Sequence, residues 1–278
     1  PGLKKMAKQI KSHGSLAVVQ LHHAGLRSPR ELTGSVPVAP TPSEKFTARG
    51  LSHGEVKSLI EDFIQGAERA KAAGFDGVEL HAAHNYIICQ FLSAEFNQRT
   101  DEYGRTLQNR SRVLFDINNG IRKRCGTDFL LGVRLTPERH GIELGEAVTT
   151  ARILFEKKEI DFLDISAWNI YKEPVDEALQ GRSLLSYFTE LDRGDIRLGA
   201  AGKVYTPEDI QFGLDSGLDF VLMGRAAMLH HNYPALLKGN SEFIPNRIPV
   251  SRDYLLGEGL SNAFIDYVGG QWPDFIKV

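Results

Sequence analysis

Cysteine is almost absent from this 278-residue chain, which carries only Cys89 and Cys125. Two thiols so far apart make neither a disulfide framework nor a metal or iron–sulfur spacing. They fit a reducing compartment, and a cytoplasmic location is expected. An excess of either charge is also missing: 33 Lys and Arg face 35 Asp and Glu, for a net charge of -2. That balance leaves no electrostatic footprint for nucleic acid or an anionic membrane. No apolar run approaches the ~20 residues that a helix needs to cross a bilayer. No Gly-x-Gly-x-x-Gly follows any candidate strand, which counts against a dinucleotide Rossmann site. The opening, Pro1-Gly2-Leu3-Lys4-Lys5, holds neither a starting Met nor a signal-peptide pattern.

What is present is an ordinary globular composition, 42% hydrophobic and 24% charged, arranged in a regular alternation. Short apolar runs read as strands at 16–21, 77–80, 129–135, 161–166, 196–201 and 219–223. Near-continuous runs of this length suit parallel strands covered on both faces. Amphipathic stretches separate them, at 56–73, 109–124 and 144–158. Ser52 and Glu55 have capping-box spacing before the first of these. A further helix opens at Thr206, with Pro207 in its first turn. The opening 3–12 reads as the tail of another helix. Alternation of this kind predicts a parallel sheet, either closed into a barrel or open and doubly wound. Six strands do not close an eight-stranded barrel. The expected fold is α/β, a (β/α)8 TIM barrel with about the first two βα units absent from this chain. Residues 1–278 are expected to form a single, partial barrel domain.

In such barrels functional groups gather at the C-terminal strand ends. There the sequence places Gln20, followed by His22 and His23; His81 and His84, with Tyr86; Arg134; Ser166; Gly202 with Lys203; and Gly224 with Arg225. The opposite ends carry no comparable set.

The segment from Val19 to Gly25, the long stretch from Gly74 to Arg112, Gly132 to Leu135, and Ala201 to Arg225 occur in this order. Together they resemble the old yellow enzyme family of flavin-dependent ene reductases, over about Leu3 to Pro234. The resemblance implies an FMN-binding barrel that accepts hydride from NADH or NADPH. It passes the hydride to the C=C bond of an α,β-unsaturated carbonyl or nitro compound. The expected partner is then a small-molecule substrate, with no nucleic acid and no membrane. Homo-oligomers are common in the family, though no segment here specifies one.

Each role has a plainer rival. By resemblance, His81 and His84 donate N–H groups to the substrate oxygen and stabilise the developing enolate. The rivals are structural histidines, or part of a zinc site with His22 and His23. Tyr86, by resemblance, protonates the α-carbon, and a phenol keeps its proton at neutral pH; otherwise it is an aromatic wall. Gln20 suits the pyrimidine edge of a flavin, or is a polar strand terminus. By resemblance, Arg134 lies near the flavin N1/O2 region or the ribityl chain; otherwise it makes a buried ion pair with Asp164 or Glu79. Gly202, Lys203, Gly224 and Arg225 suit a phosphate held by backbone N–H groups and a charged fork, or are two tight turns. Ser166 is a minor contact. Arg99, Asp101 and Arg110 are expected to brace the loop structurally, and Cys89 to be a buried small hydrophobe. No metal is expected. The alternatives to an ene reductase are a metal-dependent barrel hydrolase and a non-catalytic fragment.

Overall fold

The computed structural model describes residues 1–240 and 243–277. Six strands form one parallel sheet in simple chain order: β1 (Val18–Leu21), β2 (Gly77–Ala82), β3 (Leu130–Leu135), β4 (Phe162–Ser166), β5 (Arg197–Ala201) and β6 (Phe220–Leu222). The sheet curls into a half-barrel. Among the described residues no ladder joins β6 to β1. The predicted parallel β/α order of six strands is therefore present.

Helices fill the connections. The helix α1 (Gly2–Lys11) precedes β1, α2 (His53–Ala72) leads into β2, and α3 (Ile87–Leu92) follows it. Helices α4 (Arg112–Cys125), α5 (Leu144–Lys157) and α6 (Pro207–Asp215) precede β3, β4 and β6. The capping box at Ser52 and Glu55 is formed on α2, and a second one, from Thr206 and Asp209, starts α6. Each satisfies backbone N–H groups that the first turn of a helix leaves without partners. The helix predicted at 109–124 divides at Ser111 into Leu107–Arg110 and α4.

Every residue of β2 is buried, because neighbouring strands flank it and helices cover it. This strand runs two residues further than the sequence pattern suggests. His81 and Ala82 stay in register with Arg134 and Leu135 of β3. Pairing with a neighbour prolongs the strand past its apolar run, and so carries His81 inside the sheet. On the concave face, Phe162 packs against Gly132 and Phe220 against Gly199, where a Cβ would lie 2.0 and 2.2 Å from a ring carbon. The main core continues through Ile87, Phe91, Leu114, Ile117 and Leu131. Burying each such side chain contributes about 1.5–3 kcal/mol. The edge strand β1 is less protected, with Val18 38% exposed.

After Leu229 the chain forms a small second cluster from Val250, Leu255, Ile265, Val268 and Phe275. Among the described residues no helix is long and apolar enough to cross a membrane.

Candidate active site

The C-terminal ends of β2 to β6 carry two groups of side chains. The first is aromatic. His81 is 4% exposed at the end of β2, and its Nε2 lies 3.1 Å from Nδ1 of His84. The chain reaches His84 and Asn85 in the left-handed region, at φ 57° and 59°. Thr136 helps to hold this turn by accepting the His84 backbone N–H at 3.1 Å. Arg27 donates to the His84 carbonyl at 2.8 Å and stands over the Tyr86 ring at 5.2 Å. Tyr86, at the head of α3, has its ring 5.0 Å from that of His81 and 4.8 Å from that of His22.

Burial pushes the His81 pKa down to about 3, and His84, Arg134 and His22 push the same way. Burial likewise lowers His84 to about 4, followed by Arg134, His140 and Arg27. Both rings are therefore neutral at physiological pH, with one N–H each. Their mutual hydrogen bond occupies one of the two N–H groups. The facing nitrogens bond to each other instead of spreading around a common centre. Among the described residues the one metal-sized group of ligand atoms is His53, Asp101 and Glu102, which includes none of His22, His23, His81 and His84.

The second group lines a cleft of about 550 Å3. Its walls include Arg134, Ser166, Gly202, Lys203, Gly224 and Arg225, and His84 closes one side. Gly202 is required by close approach: a Cβ there would lie 2.7 Å from the Asn169 backbone nitrogen. Among the described residues no carboxylate pairs with Lys203 or Arg225. Arg225 instead lies over the Tyr205 and Trp272 rings at 5.1 and 5.9 Å.

Arg134 makes the ion pair with Asp164 that its sequence position suggested. It faces the cleft, and its Nε lies 3.1 Å from Asp164 Oδ2, off the axis of a hydrogen bond. Asp164 is fully buried, and burial raises its pKa despite Arg134; Glu79 adds to the rise. Gln20 lies apart. It is exposed on β1, donates to Glu79 Oε1, and does not line the cleft.

The loop residues expected to be structural are so. Arg99 pairs with Asp101 and Arg110 with Glu146, both at 2.5 Å, and Cys89 is buried. Sequence reading gave Ser166 too little weight. Its hydroxyl lies 2.7 Å from His84 Nε2 and accepts from Arg134 Nη2 at 3.3 Å, joining the two groups. It also passed over Arg27 and Trp272. Trp272 lies in the tail, where no local pattern marks it; Arg27 follows the His22-His23 motif closely enough to have been found.

A curled parallel β/α sheet with neutral histidines and a cation-lined cleft at its strand ends fits the barrel class of α/β folds. The sequence profile of the NADH:flavin oxidoreductase / NADH oxidase family matches residues 1–238, and the chain belongs to this family. It is 34% identical over 254 residues to a probable NADH-dependent flavin oxidoreductase, YqiG, of Bacillus subtilis, covering 87% of this chain and 68% of that one. It is 32% identical over 257 residues to the NADH:fumarate oxidoreductase of Klebsiella pneumoniae, covering 87% of this chain but 28% of that one. An old yellow enzyme homologue from Zymomonas mobilis superposes with a TM-score of 0.76 at 25% identity, covering 91% of this chain and 74% of that structure. The protein is thus an NAD(P)H-dependent flavin oxidoreductase of the old yellow enzyme family, whose cofactor is FMN.

The cleft fits that cofactor. Lys203 and Arg225, which pair with no carboxylate among the described residues, and the close-packed Gly202 suit a phosphate, and Arg134 lines the same cleft. Leu222, Met223, Met228 and Trp272 supply apolar wall for a ring system.

Proposed function

We propose that this protein reduces the activated C=C bond of α,β-unsaturated carbonyl or nitro compounds. The observation that carries this reading is the neutral His81–His84 pair beside Tyr86, joined through Ser166 to the cleft. Bound in the cleft, FMN would supply the hydride for the β-carbon, with NAD(P)H as the source. The histidine pair binds the substrate oxygen and withdraws charge from the double bond. Tyr86 holds the proton for the α-carbon; its hydroxyl has no hydrogen-bond partner among the described residues, which leaves it available to a substrate. Gly202, Lys203, Gly224 and Arg225 hold the phosphate. Arg134 faces the flavin ring or ribityl chain, and Gln20 acts at the pyrimidine edge once Glu79 releases its amide. That the Klebsiella relative is named for fumarate, itself an alkene activated by carboxyl groups, supports the substrate class. Trp272 in the cleft wall supports reading residues 1–278 as one FMN-binding unit.

The test is a visible spectrum of the purified protein supplied with FMN. A flavin band that bleaches anaerobically with NADPH or NADH, then recovers on adding cyclohexenone, is expected. A band that bleaches but does not recover with enones or nitroalkenes sinks the substrate class.

A further inference from the structure

We propose that Trp168 is a specificity-determining residue. Its indole forms an aromatic wall at the mouth of the cleft and selects acceptors that carry a flat aryl substituent. This rests on the reading that the histidine pair takes the oxygen of an activated alkene.

Trp168 is held in a costly backbone conformation. Its φ is 66°, and among the described residues it is the one bulky apolar side chain in the left-handed region. The Asn169 N–H donates to the Ala167 carbonyl, two positions back, at 2.7 Å. That bond and the positive φ make Trp168 the centre of a γ-turn of the rare, strained form. Glycine or asparagine would hold such a turn at less cost. Contacts on both sides keep the turn from relaxing. The Ala167 N–H donates to the Ala201 carbonyl at 2.9 Å, and the Ile170 N–H to the Gly202 carbonyl at 3.1 Å. A Cβ on Gly202 would lie 2.8 Å from the Trp168 carbonyl carbon, so the end of β5 presses directly on the turn.

The side chain gives the fold little in return. Trp168 is 61% exposed and belongs to none of the three hydrophobic clusters. Strain that brings no packing gathers at ligand sites, where the surroundings over-determine it. Trp168 lines the cleft together with His84 and Arg134, so the exposed ring stands at its mouth. Arg139, itself at φ 88°, lies over the indole at 4.7 Å and anchors it by a cation–π contact. No other ring or cation of the described residues stacks on this indole. An acceptor whose oxygen meets the histidine pair lies in the cleft that His84 and Trp168 both line. A planar ring on its β-carbon then stacks on the indole, and aromatic pairs gain more than their buried area alone provides. A small aliphatic substituent has no such contact to make.

The experiment compares wild type, Trp168→Gly and Trp168→Phe, each loaded with FMN. The acceptors are benzylideneacetone and ethylideneacetone, which differ only in carrying phenyl or methyl on the β-carbon. The readout is the ratio of their kcat/KM values. In Trp168→Gly the phenyl-to-methyl ratio is expected to fall about fivefold, the worth of one aromatic pair, and through KM rather than kcat. Trp168→Phe keeps most of the ratio. Trp168→Gly should also melt about 2 °C higher, because glycine relieves the turn. A ratio that Trp168→Gly leaves unchanged overturns the proposal. A Trp168→Gly protein that melts lower or does not fold also overturns it, since the ring then serves the fold. The same holds for one that loses FMN affinity but keeps the ratio, since the ring then covers the flavin. Equilibrium binding of both acceptors, followed by flavin absorbance, separates this proposal from the reading beneath it. Tighter, Trp168-dependent binding of benzylideneacetone by a protein that reduces neither acceptor supports the aromatic wall and sinks the substrate reading. Reduction of both acceptors with no dependence on Trp168 does the reverse.

Discussion

The two ends of the site solve different problems with different materials. At the β2 end, buried side chains do the work. His81 is buried and His84 half-buried, both are held neutral and bonded to each other, and the backbone at His84 is bent into the left-handed region. At the β5 and β6 ends, backbone and exposed charge do it. Gly202 lets the chain come close, while Lys203 and Arg225 pair with no carboxylate among the described residues. Under the proposed function, the difference matches what each end would recognise. A neutral oxygen is best met by a donor of fixed direction in a dry place. A phosphate is best met by several N–H groups and by cations that keep their charge.

The largest expected effect comes from separating the two ends. His81→Ala should lower kcat/KM for an enone by about 100-fold, the usual cost of losing an oxyanion donor, and leave FMN affinity within about twofold of wild type. Steady-state kinetics with FMN titration checks this. Loss of both together would mean that the two ends act as one.

Gly202→Ala should do the reverse. The added Cβ meets backbone at Trp168 and Asn169. FMN binding is expected to weaken about tenfold, and overpacking of this kind costs about 1–3 kcal/mol of stability. The FMN-saturated enzyme should keep its KM for the enone. Fluorescence titration and thermal melts read the first two effects, and kinetics at saturating FMN reads the third.

The smallest expected effect is none. With His81 and His84 held at about 3 and about 4, neither gains a proton between about pH 5 and about pH 7, where an ordinary histidine titrates. The pH profile of kcat/KM should show no histidine inflection in that window. An inflection near pH 6.5 would show the rings to be less buried than the structure places them. Stability has its own sign. Unfolded histidines bind protons below about pH 6.5 that the folded pair refuses, so this pair makes the fold less stable as pH falls from there toward the folded values.

Much of the fold was legible because its signals are local. The apolar runs marked all six strands, and Ser52, Glu55 and Thr206 marked two helix starts through bonds that span only three residues. The polar strand ends were legible for the same reason, since a lone Arg134 or His81 at the end of an apolar run stands out. That six strands leave an eight-stranded barrel open was legible from their count. The position of Gln20 was not, because its amide is taken by Glu79 one strand away.

The sequence by itself determined the parallel β/α order, the candidate residues at the strand ends and the resemblance to flavin oxidoreductases. Each of these is written in neighbouring residues or in one long contiguous motif. Only the tertiary structure decided that His84 bonds to His81 and to Ser166, 82 positions away in the chain. It alone decided that Asp164 backs Arg134 and that Trp272 walls the cleft. Burial, pKa and hydrogen-bond direction depend on which side chains meet in space, and strand register and helix packing set those meetings rather than local sequence.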